Sequence, residues 1–487
     1  MSRETSEKTR VGVITLGCPK NTVDSEEMLR ALVDADEVEL QDQAEDAEVV
    51  VINTCAFIGP AKEESIEAIL EAVERKKEGR HRGIVITGCL SERYREELSA
   101  EIPEVDEMLG IAPGQSILEA CATVADRNQG LRYEPRGYDG TANEATSPCP
   151  DVAPALASRL TPRWTGYLKI SEGCDNPCTF CAIPSFRGRH RSKPPEQVLA
   201  EAQSLAAGGA VEINVIAQDT TSYGMDFPAG PRLHELLPMI AATDGIAWTR
   251  LLYAYPRFVT DDLIGALADT PSVCKYVDMP LQHASGTMLK RMGRGMHRGE
   301  LTDLLLRMRD RIPGLVLRTT MIVGFPGETE SEFEELIQFL TDVRFERLGA
   351  FTYSPEDGTP AFRLEDDVPE ELKEDRYHRL MSHQRDIAFD QNEEKIGSVI
   401  ECLIEGRDRG EGKFVGRSWA DAPEIDGSVF LEVDPEKAPA GPPLTAGQIV
   451  RARVHGADGY DLHATLVDDD TDGSRGVSSP TNGAPRA

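Results

Sequence analysis

Three cysteines lie within eight residues in the segment Cys174-Asp-Asn-Pro-Cys178-Thr-Phe-Cys181. Gly173 and Pro177 favour a tight turn of the backbone, which would bring all three thiolates to one metal centre. A structural zinc ion normally takes four protein ligands, and no fourth Cys or His stands at a suitable local spacing. Three thiolates on a 4Fe–4S cluster would leave one iron open for a substrate or cofactor. The segment therefore predicts such a cluster, with an incomplete zinc site as the alternative.

A second set of three cysteines, Cys18, Cys55 and Cys89, lies further apart, and each ends a short apolar segment: TLGC, INTC and ITGC. The carboxyl ends of parallel strands line the crevice of an open α/β sheet, and adjacent strands are only about 5 Å apart. These thiols could therefore converge on one cluster; alternatively, they are three buried cysteines that pack as small hydrophobes. The remaining cysteines lack such a pattern and are predicted to be ordinary residues: Cys121, Cys149, Cys274 and Cys402.

The segments that position the second set alternate between apolar strands and helical patterns, which is typical of a parallel sheet with helices on its faces. The predicted strands are Val11–Gly17, Val49–Thr54 and Gly83–Thr87, and the predicted helices are Thr22–Leu32, Ala61–Lys76 and Ser91–Ser99. Residues 127–158 are rich in Gly, Pro, Asp, Asn and Ser, which favours a linker.

The alternation resumes after the linker at a longer repeat. Six βα units predict a partial barrel whose active site lies at the carboxyl ends of the strands. The predicted strands are Thr165–Ile170, Val211–Ala217, Thr249–Tyr253, Tyr276–Leu281, Val316–Val323 and Arg347–Tyr353, with helices such as Pro195–Ala207 and Glu330–Asp342 between them.

Short strands separated by turns follow, and they predict a small antiparallel β-barrel. They are Ser398–Ile404, Phe414–Ser418, Val429–Val433 and Ile449–His455. The predicted fold class is α/β, with a parallel-sheet domain (9–126), a linker (127–158), a partial (βα)6 barrel (159–392), a small β-barrel (393–467) and a disordered tail (468–487).

The composition narrows the class of protein. The chain has 84 acidic and 52 basic residues, a net charge of −32, which disfavours phosphate backbones and favours basic partners; an acidic proteome is the alternative cause. No apolar run is long enough for a transmembrane helix, and residues 1–10 lack the apolar core of a signal peptide. We therefore expect a cytoplasmic protein with no membrane partner, in which clustered cysteines are metal ligands or catalytic groups.

The pattern Cys174-x-x-x-Cys178-x-Phe180-Cys181 resembles the signature of the radical S-adenosylmethionine superfamily. Together with the three strand-ending cysteines and the small barrel, it resembles the methylthiotransferase family from Val11 to about Val467. Seven stretches are similar to the branch that modifies an aspartate on the twelfth protein of the small ribosomal subunit: LGCPKNTVDSE, CAIPSFRGRHRS, VIAQDTTSYG, MPLQHAS, TTMIVGFPGETE, YSPEDGTPA and GRSWADAPEIDG. The sister branch, which modifies tRNA adenosine, typically shows GCQMN and QSGS instead of GCPKN and QHAS.

The resemblance implies two 4Fe–4S clusters, S-adenosylmethionine as cofactor and an electron donor such as flavodoxin or ferredoxin. The cluster that binds S-adenosylmethionine would be held by the Cys174 segment, and an auxiliary cluster by Cys18, Cys55 and Cys89. The residues expected near S-adenosylmethionine are Phe180, Glu212, Gln218, Ile322 and Gly324. His283 could face the cavity or be a core histidine, and Asp219 and Tyr223 leave the same choice open.

The small barrel, called TRAM in this family, is expected to bind the substrate. Between Glu393 and Val467 the chain has 14 acidic and eight basic residues, whereas nucleic-acid binders normally carry a basic face. We expect Trp419, Asp421 and Glu424 to contact the basic ribosomal protein, or alternatively Trp419 to be a core residue. tRNA is the disfavoured substrate, and a non-catalytic iron–sulfur scaffold is the rival class.

Overall fold

The computed structural model describes residues 8–35, 38–111, 114, 116–127, 159–408, 412–432 and 444–467. The chain divides into two compact units, Met1–Ala388 and Phe389–Ala487. The predicted linker, apart from Arg127, and the predicted tail lie outside the described residues. Within these described ranges, no helix combines the length and apolar character needed to cross a membrane.

The first unit begins with a five-stranded parallel sheet in the order β2-β1-β3-β4-β5. Its strands are β1 (Thr9–Thr15), β2 (Val38–Leu40), β3 (Val49–Thr54), β4 (Gly83–Gly88) and β5 (Glu107–Met108). Its helices are α1 (Pro19–Val33), α2 (Gly59–Lys77), α3 (Cys89–Arg93), α4 (Arg95–Glu101) and α5 (Ser116–Arg127). The central strands β3 and β4 are buried throughout, which explains their unbroken apolar sequences. The three predicted strands are confirmed, and the short edge strands β2 and β5 escaped prediction because they have too few residues to show a pattern.

A second, six-stranded parallel sheet follows, in the order β13-β12-β11-β10-β9-β6. Its strands are β6 (Thr165–Lys169), β9 (Glu212–Ile216), β10 (Trp248–Leu251), β11 (Val273–Asp278), β12 (Val316–Val323) and β13 (Arg347–Thr352), and a small antiparallel pair consists of β7 (Ser171–Glu172) and β8 (Arg191–Ser192). The helices are α6 (Ile183–Phe186), α7 (Pro195–Ala207), α8 (Leu233–Ala241), α9 (Asp261–Asp269), α10 (Gly286–Arg291), α11 (Arg298–Arg311), α12 (Glu330–Val343) and α13 (Glu370–Glu393). Six parallel strands with intervening helices confirm the predicted partial barrel.

Helix α12 illustrates how the local sequence defines these elements. The Thr329 hydroxyl accepts a hydrogen bond from the Glu332 N–H at 3.3 Å, and the Glu332 carboxylate accepts one from the Thr329 N–H at 2.8 Å. This capping box satisfies donors that would otherwise be unpaired at the start of the helix. Phe333, Leu336 and Leu340 then recur at helical spacing and are fully buried in the core of the sheet.

The two sheets of the first unit are joined through Glu356, which follows β13 and is 2 % exposed. Its carboxylate accepts hydrogen bonds from Lys62 Nζ at 2.9 Å and from Arg93 Nη1 at 2.8 Å. Both cations belong to the N-terminal domain, so these hydrogen bonds connect that domain to the domain of the six-stranded sheet. A buried carboxylate with two cationic partners is costly to disrupt.

The second unit contains a closed five-stranded barrel in the order β14-β15-β16-β18-β17. The strands are β14 (Val399–Arg407), β15 (Phe414–Ser418), β16 (Val429–Glu432), β17 (Ile449–Asp458) and β18 (Asp461–Leu466). The prediction missed β18, although its alternating apolar residues Leu462, Ala464 and Leu466 carry the strand signal. The neighbouring strands β16 and β18 are parallel, and the other four pairs of neighbouring strands in the barrel are antiparallel. A closed ring with an odd number of strands cannot alternate direction throughout, so one parallel pair is required.

Candidate active site

The Cys174 segment lies in the loop between β7 and α6, at the carboxyl end of the first strand of the six-stranded sheet. The Cys174 N–H donates to the Gly188 carbonyl at 3.1 Å, and the Cys181 N–H donates to the Cys178 carbonyl at 3.2 Å. Gly173 has φ +76°, and a Cβ atom there would lie 2.1 Å from the Arg189 carbonyl oxygen. Only glycine fits this position, so the tight turn expected from the sequence is present.

The thiols of this loop are partly exposed but strongly desolvated. Burial raises the pKa of Cys174 to about 11 and the pKa of Cys181 to about 12. Cys174 and Cys181 are therefore protonated at neutral pH without a metal, and a metal centre that binds them as thiolates must release their protons.

Two side chains that the sequence did not single out donate hydrogen bonds to these sulfurs. Asn176 Nδ2 lies 3.3 Å from Cys174 Sγ and 2.8 Å from Asp219 Oδ2. Arg294 Nη1 lies 3.3 Å from Cys178 Sγ. Hydrogen bonds and positive charge favour the thiolate form, so both residues suit a cluster held by these cysteines.

The cysteines that follow β1, β3 and β4 come to one edge of the N-terminal sheet, because these strands are neighbours. A Cβ atom on Gly17, which has φ +95°, would lie 2.8 Å from Cys55 Sγ, so the backbone before Cys18 packs directly on that sulfur. Asn21 donates to the carbonyls of Leu16 and Thr54, both at 2.9 Å.

The same asparagine also reaches the third cysteine, since Asn21 Oδ1 lies 3.7 Å from Cys89 Sγ. One amide side chain thus connects the ends of all three strands. Burial raises the pKa of Cys89 to about 12 and also raises the pKa of Cys55. These thiols would likewise have to lose their protons to bind a metal.

The described part of the chain contains no group of three His, Cys, Asp or Glu side chains that could hold a single metal ion.

A network of charged side chains runs from Cys89 to Glu172, two residues before Cys174. Arg187 donates to Asp24 at 3.1 Å, to Glu172 at 2.9 Å and to Cys89 Sγ at 3.3 Å. Lys169 also pairs with both carboxylates, at 3.0 Å in the case of Glu172. Although burial opposes it, the charges of Lys169 and Arg187 lower the pKa of Glu172 to about 2. Two cations therefore neutralise two buried carboxylates between the domains.

Lys20, two residues after Cys18, lies beside this network. Its Nζ atom is 2.9 Å from the centroid of the Tyr253 ring, which belongs to the six-stranded domain. Burial lowers the pKa of Lys20 to about 8. Its side chain thus carries a desolvated positive charge next to the site formed by Cys18, Cys55 and Cys89.

Among the residues expected near S-adenosylmethionine, Phe180 and Ile322 are brought together, since both pack on one apolar cluster. The cluster is formed by Met288, Met292, Phe325, Tyr353 and Ala361. Gly324, with φ +73°, follows β12 and donates its N–H to Glu328 at 2.5 Å. This apolar surface fits an adenine ring. Gly324 itself is covered by Lys373, since a Cβ atom on the glycine would lie 2.3 Å from Lys373 Cγ.

Gln218 follows β9 and lies at the carboxyl end of the sheet. Its Nε2 donates to Glu172 at 2.7 Å, whereas Oε1 is a buried acceptor with no hydrogen-bond partner within the described ranges. A buried acceptor without a donor is costly, so a ligand ammonium fits here.

Glu212 does not occupy the position expected for a cofactor contact. It is the first residue of β9, paired in register with Thr165 and Trp248, and therefore lies at the opposite end of the sheet. It is fully buried and forms an ion pair with Arg250 at 3.0 Å. The sequence identified the strand correctly, but Glu212 precedes Ile216 by about 13 Å along it.

His283, Asp219 and Tyr223 are all buried and internally bonded. His283 Nε2 lies 3.0 Å from Glu328, and Nδ1 accepts the Ser285 N–H at 2.9 Å. The Tyr223 hydroxyl donates to a backbone carbonyl at 2.9 Å. His283 and Tyr223 are thus satisfied core residues, while Asp219 supports Asn176.

The three residues expected to bind substrate differ in their exposure. Asp421 is 2 % exposed and accepts a hydrogen bond from Ser418 Oγ at 2.6 Å. Trp419 is half-buried, and Glu424 is exposed with φ +69°. The expectation of a surface carboxylate is therefore corrected for Asp421, whose short side chain folds back to close its own turn.

Three family profiles match the chain in order: the Uncharacterized protein family UPF0004 over residues 10–110, the Radical SAM superfamily over 168–340 and the TRAM domain over 396–467. A solved structure with a similar fold is the radical S-adenosylmethionine methyltransferase TsrM from Kitasatospora setae. The TM-score is 0.51 at 16 % identity, over 73 % of this chain and 77 % of that one. The Radical SAM profile, which covers the cysteine loop, defines a radical S-adenosylmethionine enzyme.

Two curated relatives are both named ribosomal protein uS12 methylthiotransferase RimO. The protein from Anaeromyxobacter sp. (strain K) is 47 % identical over 98 % of this chain and 97 % of its own length. The protein from Geobacter sulfurreducens is 44 % identical over 94 % of this chain and 99 % of its own length. The chain belongs to the RimO family of methylthiotransferases, which confirms the resemblance drawn from the motifs.

Proposed function

We propose that the enzyme replaces a hydrogen on the β-carbon of an aspartate in ribosomal protein uS12 with a methylthio group. The observation that carries this proposal is the junction between the two cysteine sites, where Arg187 contacts both Cys89 and Glu172. A transfer of sulfur to a carbon radical needs the sulfur source and the radical source next to each other. The names of the relatives identify uS12 as the substrate of those proteins.

Two 4Fe–4S clusters are part of the proposal, one on Cys174, Cys178 and Cys181 and the other on Cys18, Cys55 and Cys89. With S-adenosylmethionine bound, these groups supply one-electron chemistry at an unactivated carbon and the sulfur for transfer. An electron donor of the flavodoxin or ferredoxin class would provide the reducing equivalent.

The chain's own residues bind and orient these groups. Gln218 Oε1 would accept a hydrogen bond from the ammonium of S-adenosylmethionine, and Phe180 and Ile322 would cover its adenine. Asn176 and Arg294 donate to the thiolates and hold their orientation.

The partner is proposed to be basic uS12 in the cytoplasm, and tRNA is not the substrate. In the small barrel, half-buried Trp419 and exposed Glu424 are the proposed contacts. An exposed acid steers a basic partner, and an aromatic ring supplies buried area.

Anaerobically reconstituted enzyme, uS12, tRNA, reductant and S-adenosylmethionine in one assay would test the proposal by mass spectrometry. We expect a methylthio group on uS12 alone. A variant with Cys18, Cys55 and Cys89 changed to Ala should still cleave S-adenosylmethionine but lose all transfer and about half of the iron. Modification of tRNA with uS12 unchanged would refute the substrate, and one zinc without iron would refute the class of enzyme.

A further inference from the structure

Lys20 carries a buried positive charge without a counter-ion in the described chain. It is the second residue of α1 and is 7 % exposed. No described residue forms a hydrogen bond or ion pair with its Nζ atom. An ammonium removed from water without a partner is unfavourable, and the positive end of a helix adds to the cost. The helix therefore gains no stability from a cation at this position.

The contact between Lys20 and the Tyr253 ring places the ammonium at the carboxyl end of the six-stranded sheet. Tyr253, whose ring lies under the ammonium, is the second residue after β10 and has φ +58°. A residue with a side chain is disfavoured in this left-handed region, and such strain persists where the surrounding structure enforces it. Its carbonyl accepts the Thr220 N–H at 3.1 Å. The ring is thus held in place to support the ammonium by a cation–π contact.

The carboxylates near Lys20 already have other partners. Asp278 accepts hydrogen bonds from Arg318 at 2.8 Å and from the Tyr253 N–H at 3.1 Å. Glu172 is neutralised by Lys169 and Arg187. Neither of these two carboxylates therefore forms an ion pair with the Lys20 ammonium in the described part of the chain.

We propose that Lys20 binds the carboxylate of the substrate aspartate and thereby selects an acidic side chain over a neutral nucleobase. This inference rests on the proposed function. The carboxylate is one bond from the β-carbon, and Lys20 is two residues from Cys18. An ion pair at Lys20 therefore holds the reacting carbon next to the site formed by Cys18, Cys55 and Cys89, where sulfur would be supplied.

The experiment measures the dissociation constants of reconstituted enzyme for uS12 and for uS12 with the target Asp changed to Asn. Wild-type enzyme should bind the Asn form about 10- to 100-fold more weakly, as for loss of a hydrogen-bonded charge. Lys20→Met, which keeps an unbranched side chain, should weaken binding of the Asp form by the same factor and leave the Asn form unchanged. Lys20→Arg should restore part of the preference. Lys77→Met, which removes an exposed charge at the end of α2, is the control and should change neither constant.

Equal affinity of the wild-type enzyme for both forms of uS12 would overturn the inference without any variant. The inference would also be overturned if Lys20→Met weakened the binding of both forms of uS12 equally and also lost iron or altered the electron paramagnetic resonance spectrum. That result would make Lys20 a counter-ion of the cluster. The proposed function is tested separately, because methylthiolation of uS12 by the wild-type enzyme supports it even if Lys20 does not contribute to binding the substrate carboxylate.

Discussion

The charged network between the domains leads to a quantitative prediction for Arg187→Met. The substitution removes the guanidinium but retains an apolar stem in the buried space. Among the described residues, Lys169 then remains as the one cation that pairs with both Asp24 and Glu172. One buried carboxylate is left without compensation, which costs about 3–5 kcal/mol. With an unfolding entropy of about 2 cal/mol/K per residue, the Tm of the first unit should fall by about 4–7 °C.

Differential scanning calorimetry of the anaerobic apo enzyme measures this shift. The matched control is Arg189→Met, two residues away, because the Arg189 side chain is 89 % exposed and pairs only at the surface with Asp175. An exposed pair contributes about 0–1 kcal/mol, so the control should shift Tm by no more than about 1 °C. Equal small shifts for both variants would refute the assignment of Arg187 as a buried bridge.

Two further substitutions test local features of the site and of the small barrel. Gly173→Ala should abolish iron binding by the Cys174 loop, because its Cβ would meet a carbonyl oxygen at 2.1 Å; Gly188→Ala, at φ +75° with nothing within 4 Å, should retain most of the iron. Asp421→Ala should speed hydrogen exchange in β15 by unpairing the buried Ser418 hydroxyl, a loss of about 1–3 kcal/mol. Exposed Glu424→Ala should leave that exchange unchanged, and the reverse order would show that Asp421 is the surface residue.

The sequence was sufficient to predict the features that depend on local pattern. The strands before Cys18, Cys55 and Cys89 show their apolar character directly, and adjacent parallel strands then bring their ends together. Glu212 was expected near S-adenosylmethionine but lies at the opposite end of β9, because the periodicity of a strand does not show which of its ends faces the site. Chain separations of 166 and 98 residues divide Arg187 from Asn21 and Cys89. No local pattern reports contacts over such separations, so the network escaped prediction.

The position of Arg187 in the chain also has a consequence for biosynthesis. Ribosomes add about 5–20 residues per second, so roughly 5–20 s pass between the synthesis of Cys89 and that of Arg187, 98 residues later. During this interval the first three cysteines are complete, while the guanidinium that later touches Cys89 does not yet exist. The nascent N-terminal domain thus has to hold its three cysteines without the hydrogen bond that Arg187 later donates to Cys89.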